Sequence, residues 1–214
     1  MLTIHAAVLL LPGGGRAPVP GGAVAVQDAV VAGFGPYGEL AAAHPAARVR
    51  RWPGVLTPGL LQRDAVRLLE ESYFPDPREA DTLGTAPLTG EALDALGPDD
   101  TWRAGSVRRG LHRMLRHGTT AATAAPTAPP ALITAMRRSG LLVTGAPDDP
   151  GAAPRLDPLA RAAAVADATA APLAVGGRAD LAAFDVPDEA ALLAAGAASC
   201  VATVAAGRLV YRGR

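Results

Sequence analysis

The sequence contains no lysine: all 20 of its basic residues are arginine. That excludes a Schiff-base lysine and a carbamylated lysine metal ligand. Cys200 is the only cysteine, which excludes an intrachain disulfide and a thiolate zinc cluster. It lies in the apolar run 199–204 and reads as a buried strand thiol. Aromatic residues make up only 4% of the chain, so the adjacent Tyr73 and Phe74, set in a polar stretch, stand out as a buried anchor or a contact surface. No long apolar run is present. The longest stretch near the N-terminus, Ala6 to Leu11, falls far short of the ~20 residues that span a bilayer. It follows no basic segment, and a soluble cytoplasmic protein is the expectation. Neither sign of charge prevails, with 20 basic and 20 acidic residues, so neither nucleic acid nor an anionic membrane is expected as a partner.

Half of the 214 residues are hydrophobic, enough for one large domain or two small ones with a real core. Residues 1–55 read as β structure. Leu2 to Leu10 forms a strand stopped by Pro12 and the glycines 13–15, and Ala23 to Gln27 pairs with Ala29 to Gly35 across Asp28. Tyr37 to Ala43 suits a short helix and Arg48 to Trp52 a strand. Between 56 and 172 the pattern changes. Short helices are expected at 64–72 and 90–96, the latter capped by Thr89, and a long one to His117 capped by Thr101 or Asp100, with Val107, Leu111, Met114 and Leu115 as its apolar stripe. Thr119 to Thr123 reads as a buried strand, 129–139 as a helix opened by proline, and Leu141 to Thr144 as the next strand. This rhythm implies parallel βαβ pairing. Pro147 to Pro158 reads as a loop and 157–169 as a further helix. Residues 173–213 return to strands around a helix at Asp188 to Ala195.

Four motifs carry a resemblance. Thr57-Pro58-Gly59-Leu60-Leu61 follows the N-terminal strands. Met114-Leu115-Arg116-His117-Gly118-Thr119-Thr120 ends the long helix. Gly177-Arg178-Ala179-Asp180-Leu181 and then Val201-Ala202-Thr203-Val204-Ala205-Ala206-Gly207 close the chain. In this order they resemble the amidohydrolase superfamily, of the imidazolonepropionase and aminodeoxyfutalosine deaminase type. The resemblance implies an α/β fold: a small composite β-sandwich built from 1–55 and 173–214, and a β/α barrel from 56–172. That barrel must be partial. A complete one takes ~250 residues, and about 115 lie between the sandwich halves, room for three or four βα units.

The family's metal-binding H-x-H follows its T-P-G motif. Here Asp64 and Val66 stand at those positions, after Gln62 and Arg63. Valine cannot ligate, and a catalytic zinc normally takes three protein ligands. The other histidines do not fill the gap. His112 and His117 point about 140° apart on one helix, while His5 lies in a strand and His44 beside Pro45. No metal and no cofactor is therefore expected, and Gln62, Arg63, Asp64 and His117 form the candidate pocket. The acidic stretch 70–81 reads as a solvated loop, and Arg50-Arg51, Arg108-Arg109 and Arg137-Arg138 as surface pairs, although clustering in space would let them hold an anion. No G-x-S-x-G elbow occurs.

Two functions follow. One is a non-catalytic relative with a binding or assembly role. The alternative is a hydrolase or deaminase acting on non-peptide carbon–nitrogen bonds through an atypical or partner-completed site. A truncated barrel leaves an open sheet edge, so a homo-oligomer or a protein partner is expected, with a small-molecule ligand compatible with the pocket.

Overall fold

The computed structural model describes residues 1–97, 99–145 and 153–213. It is a mixed α/β structure with several sheets. The first part of the chain contributes β1 (Leu2–Ala6), β2 (Leu9–Leu10), β3 (Val19–Pro20), β4 (Gly22–Gln27), β5 (Val30–Pro36), α1 (Tyr37–Ala43), β6 (Arg48–Arg51) and β7 (Val55–Pro58). β8 (Leu60–Gln62), α2 (Ala65–Glu71), β9 (Ser72–Tyr73), α3 (Ala80–Leu83), β10 (Leu88–Thr89), α4 (Glu91–Leu96), α5 (Asp100–Arg116), β11 (Thr119–Ala124), α6 (Pro130–Arg138) and β12 (Leu142–Gly145) follow. The chain ends with β13 (Leu181–Phe184), α7 (Glu189–Ala195), β14 (Cys200–Ala205) and β15 (Arg208–Arg212). Among the described residues no helix is long and apolar enough to cross a membrane.

Two sheets are built from the chain's outer thirds. One has the order β5-β4-β1-β6. The other, β15-β14-β13-β7-β2-β3, joins early and late strands: β13 pairs antiparallel with β7, Leu181 opposite Pro58 and Phe184 opposite Val55. The period of two along β4 explains how the first sheet is covered on both faces. Val24 and Val26 enter one apolar cluster with Leu10, Leu56, Leu181, Ala183, Ala202 and Val204 of the second sheet. Ala23 and Ala25 enter another with Ile4 and Ala6, against which Tyr37 and Leu40 of α1 pack.

The two closing motifs meet in this region. The half-buried Asp180 carboxylate accepts the Ala206 amide at 2.8 Å and pairs with Arg178, while the Gly207 amide donates to the Ala179 carbonyl. Gly207 has φ +74°, and a Cβ there would stand 1.7 Å from the Asp28 carbonyl oxygen, so the turn admits only glycine.

A third, all-parallel sheet has the order β12-β11-β8. The chain enters it directly from β7 through Gly59, whose amide donates to Asp180. A Cβ on Gly59 would lie 1.9 Å from Thr120 Oγ1, so glycine permits the close approach of the two strands here. Helices α2, α5 and α6 bury Val66, Leu69, Leu111, Met114 and Met136 against Ala122 and Ala124 of β11. Phe74, fully buried, fills the same cluster, and the Tyr73 hydroxyl donates to Glu79 at 2.9 Å, so the aromatic pair is an internal anchor. Ser106 Oγ accepts the Phe74 amide and fixes it to α5.

Three local expectations change. The side chain of Asp99, not Asp100 or Thr101, caps α5 by accepting the Trp102 amide at 2.8 Å. Gly90 rather than Thr89 precedes α4, because Thr89 is taken into the short antiparallel pairing of β10 with β9. Most importantly, 157–169 is not a helix: it forms turns and a single 3-10 turn at Val165–Ala168. The Asp157 carboxylate accepts the amides of Leu159 and Ala197, and Leu159, Val165 and Ala168 are drawn into a cluster with Leu60 and Phe184. These tertiary partners outweigh the helix propensity of an alanine-rich stretch. The segment runs along the edge of β8, where Thr169 forms an antiparallel bridge with Leu60. Of the loop expected at 147–158, residues 147–152 lie outside the described residues.

Candidate functional site

The site lies where β8 ends and α2 begins. Asp64 occupies the N-cap position of α2, and its backbone amide donates to Gln62 Oε1 at 2.9 Å. Gln62 in turn spends its amide group on the next segment, with Nε2 donating to the carbonyls of Arg155 and Leu156, each at 3.0 Å. Asp64 Oδ2 accepts the Arg155 amide at 2.9 Å and the Arg161 guanidinium at 3.0 Å. Arg63 turns the other way, donating from Nη2 to the Asp167 carbonyl, while its own carbonyl accepts Thr123 Oγ1 of β11 at 2.8 Å. Together with Asp157 these side chains line a cleft of about 380 Å³.

The arrangement is a satisfied one. Asp64 is almost fully buried, and a buried carboxylate requires charge-assisted partners. It has a guanidinium and a backbone N–H. Arg161 is only half covered, so this pair is worth less than a wholly desolvated one.

The metal of the resembled family does not fit these residues. A divalent ion would have to displace Arg161 from Asp64 and would find no second protein ligand at Val66, whose side chain is buried in the helix cluster with Leu69 and Met114. Among the described residues no group of three His, Cys, Asp or Glu side chains is placed to hold a metal. The cleft presents carboxylates of Asp157 and Asp167 beside the guanidinium groups of Arg63 and Arg161, a lining of mixed charge.

The structure brings Gln62, Arg63 and Asp64 together but leaves His117 out. His117 precedes β11, and in the parallel register Gln62 stands beside Ala122, so His117 lies at the opposite end of the sheet, about five residues or ~16 Å of strand away. Its Nδ1 contacts the Arg113 carbonyl at 2.8 Å. Arg155, Asp157 and Arg161 were missed. The signal for them was the spacing of charged residues in an otherwise alanine-rich stretch, which solvent exposure alone does not explain.

The remaining candidates are structural. His5 is buried against Trp52, the rings 6.0 Å apart, and its Nδ1 accepts the Trp52 indole N–H at 3.1 Å. Burial first, and Arg50 second, lower its pKa to about 4, so it stays neutral at pH 7. Burial pushes the Cys200 thiol up to about 11, which suits a core residue and not a nucleophile. Of the arginine pairs, Arg109 makes an ion pair with Asp76, whereas Arg108 and Arg138 line one groove between α5 and α6.

No protein-family model matches the chain, and no curated protein sequence does. Solved structures do match. E. coli guanine deaminase is 13% identical, with 68% of this chain and 36% of that one covered at a TM-score of 0.46. A. niger ochratoxinase is 20% identical, with 67% and 31% covered at 0.44. An amidohydrolase from a Sargasso Sea environmental sample is 16% identical, with 68% and 33% covered at 0.40. The chain is similar to these hydrolases and deaminases over two thirds of its own length, and it spans about a third of theirs.

Proposed function

We propose that this chain is a non-catalytic, amidohydrolase-like protein with a role in binding or assembly. In this reading 1–55 and 173–214 form a composite β-sandwich, and 56–172 form a partial β/α barrel reduced to the units that begin with β8, β11 and β12. The apolar cluster that joins Leu10, Val24 and Val26 to Leu181, Ala183 and Val204 supports the first element, and the parallel order β12-β11-β8 the second.

The observation that carries the functional reading is the ion pair of Asp64 with Arg161. At the position where the resembled family places a metal ligand, this protein's own Arg161 guanidinium pairs with the Asp64 carboxylate. Val66 stands at the companion position and is part of the core. The neighbouring cleft is left for a small ligand of mixed charge.

The test is metal content. Protein purified without chelator and dialysed should hold substoichiometric zinc, iron and manganese by elemental mass spectrometry, unchanged in Asp64→Ala. Stoichiometric metal that survives dialysis and is lost in Asp64→Ala would overturn the proposal in favour of a carbon–nitrogen hydrolase with an atypical site.

A further inference from the structure

The groove between α5 and α6 has a volume of about 580 Å³. Its floor is apolar: Val107, Leu111 and Leu115 from α5, Leu132 and Ala135 from α6. Its rim is cationic. Arg108 and Arg138 are exposed, line the groove, and make no hydrogen bond or ion pair among the described residues. His112 stands beside them, and no acidic side chain lines the groove.

From this we infer that the groove is the docking site for an amphipathic helix of a partner protein, apolar on one face and bordered by Glu or Asp. Length, shape and charge each support it. The lining residues of α5 run from Ala104 to Leu115, about 16 Å at 1.5 Å per residue, which matches three turns of a helix. The groove is partly open to solvent and bounded by two helices, so a helix can lay its i, i+3, i+4, i+7 side chains onto its apolar floor. Unpaired guanidinium groups flanking an apolar floor are complementary to carboxylates flanking an apolar stripe. A second copy of this chain does not meet that description. Its exposed large apolar residues are scattered over Val8, Val30, Val49, Trp102, Leu142 and Val175, and among the described residues none forms the stripe of an acidic helix. The inference gives the assembly role a partner class, and it does not depend on the cleft at Asp64.

The experiment uses three labelled synthetic helices of about 11 residues. One has a leucine stripe with glutamate flanks, one the same stripe with lysine flanks, and one the glutamate composition with the stripe scrambled. Anisotropy is read with the full chain. The glutamate helix should bind, the lysine and scrambled helices about tenfold or more weaker, and binding should weaken between about 50 and 300 mM salt. Arg108→Glu/Arg138→Glu, exposed changes verified as folded by circular dichroism, should lose the glutamate helix and gain the lysine one. Failure of the glutamate helix to bind, or equal binding of all three, would overturn the inference. Binding to phosphatidylglycerol vesicles in place of the glutamate helix, abolished in the same variant, would assign the surface to a membrane and also overturn it. Metal content is unaffected by any of these outcomes, so this test and that of the Asp64 site fail separately.

Discussion

Acidification should destabilise this fold through one histidine. His5 sits in β1 with 1% exposure, stacked on Trp52 and accepting its indole N–H. Protonation would turn that acceptor into a second donor facing a donor, with Arg50 nearby. The folded-state pKa of about 4 lies below the ordinary 6.5, so the unfolded chain takes up the proton first as pH falls. The stability tied to neutral His5 is therefore complete above pH 6.5, lost progressively down to about 4, and constant below. Across that interval 2.303RT per pH unit gives about 3 kcal/mol, of which about 2 kcal/mol disappears between pH 7 and pH 5. With a urea m-value of about 2 kcal/mol per molar, the midpoint should drop by about 1 M.

Trp102→Phe makes Trp52 the sole indole and thus the reporter; Trp102 is 44% exposed, so its replacement is mild. Burial raises the Asp180 carboxyl, which acts in the opposite sense, so the comparison with His5→Asn is what isolates His5. Asparagine keeps an acceptor for Trp52 but no titratable ring, and its midpoint should be nearly flat across pH 7 to 5 once the shared background is subtracted. An equal midpoint at pH 7 and 5 in the Trp102→Phe protein, or the same slope in His5→Asn, would refute the reasoning.

Two further outcomes are expected. Phe74→Ala empties the centre of the α2–α5–β11 cluster and should cost about 3–5 kcal/mol, lowering Tm by about 10 °C or more in a thermal melt. Cys200, with its thiol pushed up to about 11, should resist an aromatic disulfide reagent at pH 8 in the native protein and react fully once urea unfolds it; rapid native reaction would mean the strand opens locally.

The parts of the fold legible in the sequence are those in which local pattern and tertiary role coincide. The alternation of β4 reads as a strand because each face of its sheet is buried in a different cluster. Tyr73 and Phe74 were legible as an anchor because aromatics are otherwise scarce. Residues 157–169 were misread because six alanines in thirteen residues favour a helix, whereas their conformation is set by contacts from Ala197, Leu60 and Asp64, all distant in sequence. The candidate site was half legible. The motif around Gly59 located Gln62 to Asp64, but nothing along the chain tells which end of a strand faces a cleft, and so His117 was grouped with residues at the other end of the sheet.

The pairing of β7 with β13 also has a consequence in time. Pro58 and Leu181 are separated by about 120 residues, which a ribosome adds in about 6–25 s. Throughout that interval β7 has emerged with one side unmatched, and β2 can offer it only the other. The nascent chain therefore holds an apolar strand edge open until its last strands arrive. Chaperone demand and aggregation during synthesis should depend on the speed of translation between these positions more than on the stability of the finished protein.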